Sequence, residues 1–157
     1  MSMIIYLLFI YLASLAFGYV LRFTEATLSI GRSLSDAGTP TGYQDAITPP
    51  RFSTIAFSVY ALCLGGIIFG FWQFGWIVGF GIALGFFVTV AINRVLILPK
   101  KDSEHFRRLI VHSMSNRHAD YLKSGDTLRA SIMAELLEKL GIPVNEFVER
   151  LKKMNDA

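Results

Sequence analysis

Three long apolar runs constrain this chain more than any other feature. "MIIYLLFIYLASLAFGYVL" covers Met3 to Leu21 and "FSTIAFSVYALCLGGIIFGFW" covers Phe52 to Trp72. "GWIVGFGIALGFFVTVAI" begins at Gly75, and its helix is expected to continue to Leu98, where Pro99 ends it. Roughly 18 or more apolar residues in a row match the helix length that a bilayer core demands. Buried core helices of a soluble protein are the alternative. Three of them, in 157 residues of which 17% are charged, leave too little polar surface to cover them. The membrane reading follows.

Charge separates two regions. Of the 15 Lys and Arg, five precede Lys101 and ten follow from it, and the 12 acids divide three and nine. This predicts a membrane domain over residues 1–98, with spans at about 3–21, 52–72 and 75–98 and a loop at 22–51. A water-exposed helical tail is expected over 99–157. The formal net charge of +3 is too small to argue for nucleic acid. The one cysteine, Cys63, lies in an apolar run and forms no internal disulfide or cluster.

Orientation follows from basic residues, which accumulate on the cytoplasmic side. Arg22, Arg32 and Arg51 lie between the first two spans, and Arg94, Lys100, Lys101, Arg107 and Arg108 lie at or after the end of the third. No basic side chain precedes the first span, and the link between the second and third carries no charge. The predicted topology is N-terminus outside and C-terminus in the cytoplasm, in a bacterial inner membrane. Ser14-Leu15-Ala16 resembles a cleavage site, but no basic segment precedes the first run, so retention as a span is expected.

The link "WQFGW" holds both tryptophans, Trp72 and Trp76. Indole rings settle where bilayer meets water, so these two anchor the tip of a tight hairpin, with Gln73 and Gly75 making the turn. At the other end Arg94 is expected to snorkel to the headgroups with Asn93 beside it. Lys100, Lys101, Arg107 and Arg108 are expected to meet anionic lipid heads or to set topology.

Glycines recur at helical spacing. Gly66 with Gly70, and Gly81 with Gly85, form G-x-x-x-G pairs; Ser14 with Gly18 is a small-residue equivalent, and Gly75 with Gly79 overlaps the turn. Such pairs let another backbone approach closely. Gly66 and Gly70 are expected to pack spans two and three together. Gly81 and Gly85 are expected to face another chain.

Several chemistries find no support in the residues. No Asp, Glu, Lys or His interrupts a span, which argues against an ion-coupled transporter. His105, His112, His118 and Asp120 do not fall on one helix face at ligand spacing, so no metal is expected. "GIPV" joins two helices at helix-turn-helix length, but Glu146 and Glu149 would repel phosphate, so DNA reading is not expected. No catalytic constellation is recognisable, and no cofactor is expected.

Beyond Arg22 the positions Phe23, Thr27, Ile30 and Leu34 continue a helical stripe until "SDAGTPTGYQDAITPP" breaks it. A surface-lying helix and an irregular loop both fit. Thr48 followed by Pro49 is expected to cap the second span. In the tail, helices are predicted over about 103–123 and 127–140, with Asp126 as N-cap and Gly141 as stop. A third is predicted from Asn145 through "NEFVERLKKM".

The expected fold is therefore all-α: a three-span helical protein with a small cytoplasmic helical tail. The expected role is non-enzymatic: an accessory or assembly subunit that packs into a larger membrane complex through glycine faces. The alternative is a self-assembling, lesion-forming protein. Three spans, N-out and C-in, followed by a basic segment, resemble the layout of one class of phage holins, although the long tail departs from it.

Overall fold

The computed structural model of the chain describes residues 3–36 and 47–142. Among these there are five helices and no strand: α1 (Met3–Asp36), α2 (Phe52–Phe74), α3 (Trp76–Leu96), α4 (Glu104–Ser124) and α5 (Thr127–Lys139). The first three are long and apolar enough to cross a membrane. The chain is an all-α integral membrane protein by this measure. The predicted helix from Asn145 lies outside the described residues.

Two compact units are built from these helices: among the described residues, one takes 3–26 with 51–103 and the other 27–36 and 47–50 with 104–142. Helix α1 runs without a break through Arg22, so the stripe beyond the apolar run is helix as far as Asp36. Of that stripe Phe23, Thr27 and Leu34 are buried.

Within the first unit, α2 and α3 form a hairpin whose connection is a single residue. Gly75 adopts φ 81°, a left-handed conformation that any side chain would strain. Its N–H closes the last turn of α2 on the Phe71 carbonyl, and its own carbonyl accepts from Gly79 N–H to open α3. Gln73 belongs to the last turn of α2 and not to the turn itself. The start of α2 also departs from expectation. The N-cap is Arg51, at φ 67° and without a side-chain capping bond, three residues beyond Thr48. Pro49 is followed by Pro50, and the residue before a proline is pushed out of the helical region, so the helix cannot open at Pro49. The core of this unit is Tyr6 and Ile10 from α1, Cys63 from α2, and Ile82, Phe86 and Val90 from α3.

The second unit follows simple amphipathic logic. Phe106, Ile110 and Met114 form the buried face of α4, and Ala130, Met133, Leu136 and Leu137 that of α5. Gly125, at φ 75°, breaks the chain between them. The Asp126 side chain caps α5 by accepting from Arg129 N–H at 3.1 Å. The far end closes with Gly141 at φ 77°, its N–H bonded to Glu138 and that of Ile142 to Leu137. This is the left-handed glycine ending expected from the sequence. Arg107 donates to the Leu140 carbonyl at 2.9 Å, placing a cation where α5 leaves carbonyls unpaired. Arg117 donates to the Thr48 carbonyl at 2.8 Å, tying the segment around the buried Ile47 to α4.

His118 is buried in α4, with no partner for Nδ1 among the described residues, and burial pushes its pKa below the ordinary imidazole value. A group held neutral on folding takes up its proton later in the folded chain than in the unfolded one. Its contribution to stability is therefore complete above about pH 6.5 and declines as pH falls below that, because the unfolded state binds more protons. Amide exchange along α4, corrected for intrinsic rates, should lose protection between pH 7.5 and 5. His118→Gln should flatten that loss; an equal loss in the variant would assign it to another group.

Candidate functional site: the packing faces of the membrane unit

Side chains and glycines together decide which faces of the three spans are occupied. Gly66 and Gly70 lie against α1. A methyl group at Gly66 would stand 3.0 Å from the Phe9 ring and 3.3 Å from Ile10, and one at Gly70 would collide with the Tyr6 hydroxyl. That hydroxyl donates to the Gly66 carbonyl at 2.7 Å, a buried bond across 60 residues of sequence. The expectation that this pair packs spans two and three together is corrected: its neighbour is chiefly α1, with Ile82 of α3 touching only the Gly70 end. Tyr6 needs an acceptor inside the unit, and the missing side chains on α2 bring a backbone carbonyl within its reach.

The hairpin is packed instead by Gly79. A methyl group there would meet the Phe71 ring and lie 2.9 Å from its Cα, so α2 and α3 approach backbone to side chain just past the turn. On the α1 side Gly18 does similar work. Its added methyl would lie 2.9 Å from Leu98 and 3.6 Å from the Arg94 stem. One turn before it, buried Ser14 accepts from Asn93 Nδ2 at 3.3 Å and donates to the Tyr11 carbonyl at 2.7 Å.

Gly81 and Gly85 differ from all of these. Among the described residues, nothing lies within 4 Å of a methyl group built on either. They line a groove of about 400 Å³ between α1 and α3, with Met3, Leu7 and Tyr11 on one wall and Thr89 beyond them. A second apolar groove, about 520 Å³, runs between α1 and α2 past Phe9, Leu62, Gly65 and Phe69. Gly65 is open there, while Gly66 is already covered.

Trp72 and Trp76 stand on the surface beside the hairpin turn, 79% and 73% exposed. The Trp76 ring rests 5.4 Å from Phe71, centre to centre. At the opposite end Arg94 is not a lone anchor. It ion-pairs with Glu25 of α1, and Glu25 also accepts from Arg22 Nη1 at 3.1 Å. Arg22 Nη2 donates in turn to the Arg94 carbonyl at 2.7 Å. The sequence carries no signal for this cluster, since Glu25 sits 69 residues from Arg94.

The remaining basic positions are dispersed in their contacts. Lys100 and Lys101 are exposed. Arg108, 79% exposed at its side chain, bonds Glu104 one turn earlier at 3.2 Å, and Arg107 serves the end of α5. His105 and His112 border a surface cleft with Glu104, Arg108 and Leu109, whereas His118 is buried.

Comparison with protein-family models, with curated proteins and with solved structures returned no match.

Filled and open glycines should respond oppositely to a methyl group. Gly79→Ala should destabilise the unit by roughly 1–3 kcal/mol, the usual cost of overpacking, because its obstacle includes backbone. Gly81→Ala should not destabilise it, since alanine fits the space and favours helix. Unfolding of the purified protein in mixed micelles by sodium dodecyl sulfate measures both. Equal losses would contradict the assignment of Gly81 to an empty face.

Proposed function

We propose that the protein is a non-enzymatic subunit of a larger membrane assembly, which it joins through the Gly81/Gly85 face of α3. The observation that supports this is the open space above those two glycines, one turn apart, in a unit where Gly18, Gly66, Gly70 and Gly79 are all covered from within. A helical glycine gives up side-chain packing and costs about 1 kcal/mol of helix propensity relative to alanine. At Gly81 and Gly85 no contact among the described residues offsets that. A neighbouring helix lying in the groove would recover it through close backbone approach and Cα–H···O contacts.

In this reading the N-terminus is outside and the tail lies in the cytoplasm, as the basic residues direct. Trp72 and Trp76 mark the outer surface, and Lys100 and Lys101 meet anionic lipid on the inner one. The tail then presents α4 and α5 to whatever the assembly handles in water. Self-association into a lesion is the second reading, supported by the same open groove, which an identical α3 could fill.

Gly81→Ile with Gly85→Ile should detach the protein from its assembly while leaving its abundance in the membrane unchanged, because branched side chains fill the groove yet suit lipid. Co-purification in mild detergent with mass spectrometry reads the partner. Retention of all partners at normal abundance would overturn the proposal, and a wild type that purifies only as a large homo-oligomer would favour the lesion. A cysteine at Gln73 should react with an impermeant thiol reagent in intact cells, and one at Ser124 should not; the reverse would invert the orientation.

A further inference from the structure

All three spans bring an arginine to one end of the membrane unit. Arg22 is the first charged residue of α1, Arg51 immediately precedes α2, and Arg94 is the one charged residue of α3. Two contacts place them at a common level. Arg22 reaches the Arg94 carbonyl, and Phe23, beside Arg22, packs its ring 4.6 Å from that of Phe52, beside Arg51. Glu25 adds one carboxylate, shared between Arg22 and Arg94. Three cations against one anion leave this layer with a formal charge of +2.

The layer stands where each apolar run ends, which is the depth at which hydrocarbon gives way to lipid phosphates. Guanidinium forks match phosphate oxygens in geometry and stay charged at any physiological pH. Glu25 engages one terminal nitrogen of each partner, Nη1 of Arg22 and Nη2 of Arg94. Arg94 remains partly open, with 30% of its side chain exposed. Arg51 is exposed and makes no ion pair among the described residues. An excess of positive charge, held in place by a carboxylate that does not neutralise it, is a prepared anion site.

We propose that Arg22, Arg51 and Arg94 bind the phosphate of an anionic phospholipid, with Glu25 as the residue that positions two of them. The site belongs to the chain by itself and does not depend on the assembly. Glu25 gives the proposal its distinctive sign, because a carboxylate that only locks helices together and one that also competes with a ligand differ in what their removal does to lipid binding.

The test uses the purified full-length protein in zwitterionic detergent, with the thermal unfolding midpoint followed as lipid is added. Phosphatidylglycerol should raise the midpoint, and phosphatidylcholine and inorganic phosphate at equal concentration should not. Equal stabilisation by inorganic phosphate would overturn the lipid assignment. Arg51→Gln should leave the lipid-free midpoint unchanged and weaken the apparent affinity for phosphatidylglycerol about fivefold, the effect of one basic residue near a membrane surface. Glu25→Gln should lower the lipid-free midpoint yet increase the shift that phosphatidylglycerol produces. Arg32→Gln, outside the layer, serves as control and should change neither quantity. An unchanged affinity in Arg51→Gln, a reduced shift in Glu25→Gln, or an equal loss in Arg32→Gln would each overturn the proposal.

Discussion

Lipid tails are as apolar as leucine, so nothing in a bilayer pushes apolar helices together the way water does. Close contact and hydrogen bonds must hold α1 to the α2–α3 hairpin. The structure places such contacts along the part of α1 that belongs to the membrane unit. Tyr6 bonds the Gly66 carbonyl near one end, Ser14 and Asn93 pair in the middle, and Glu25 joins Arg94 at the other. Gly18, Gly66 and Gly70 provide the proximity that these bonds require. Short side chains and polar groups are thus parts of one device, since a carbonyl is reachable across a helix interface only where no side chain covers it.

The same constraint gives meaning to the glycines that are not covered. Within the unit each close approach has an identifiable counterpart: a tyrosine, a phenylalanine or an aliphatic end. Gly81 and Gly85 have none among the described residues, and they share a groove with the outward residues Leu7 and Tyr11. Gly18, Gly66, Gly70 and Gly79 each admit a neighbour, Gly65 stands open singly, and Gly81 with Gly85 leave a paired opening unfilled; that pairing underlies the proposal of an assembly role. At the far end of the spans the close contact is ionic, with the Glu25 carboxylate shared between the Arg22 and Arg94 guanidinium groups.

What could be read from the sequence was whatever depends on local order. The Gly75 break, the Asp126 cap and the Gly141 stop all rest on residues within a few positions of one another, and the structure has them where expected, whereas α3 ends at Leu96, two residues short of the Leu98 expected from Pro99. The start of α2 was misplaced because one local rule, a cap followed by proline, met a second, that Pro50 pushes Pro49 out of the helix. Partnerships across the fold were not legible. Gly66 and Gly70 looked like hairpin glycines because α3 is nearer in sequence than α1. Glu25, Arg22 and Arg94 meet only because α1 remains helical past the apolar run, and hydropathy alone does not report where a helix stops. Gly79 overlaps the turn in sequence, and that closeness is what makes it the point where α2 and α3 converge.

A photo-activated cross-linking residue placed at Thr89, on the rim of the Gly81/Gly85 groove, tests the assignment of that face most directly when compared with one at Phe57, 74% exposed on α2. Irradiation of native membranes should give a discrete protein adduct from position 89 and only lipid adducts from position 57. Protein adducts of equal yield from both positions, or none from position 89, would contradict the account.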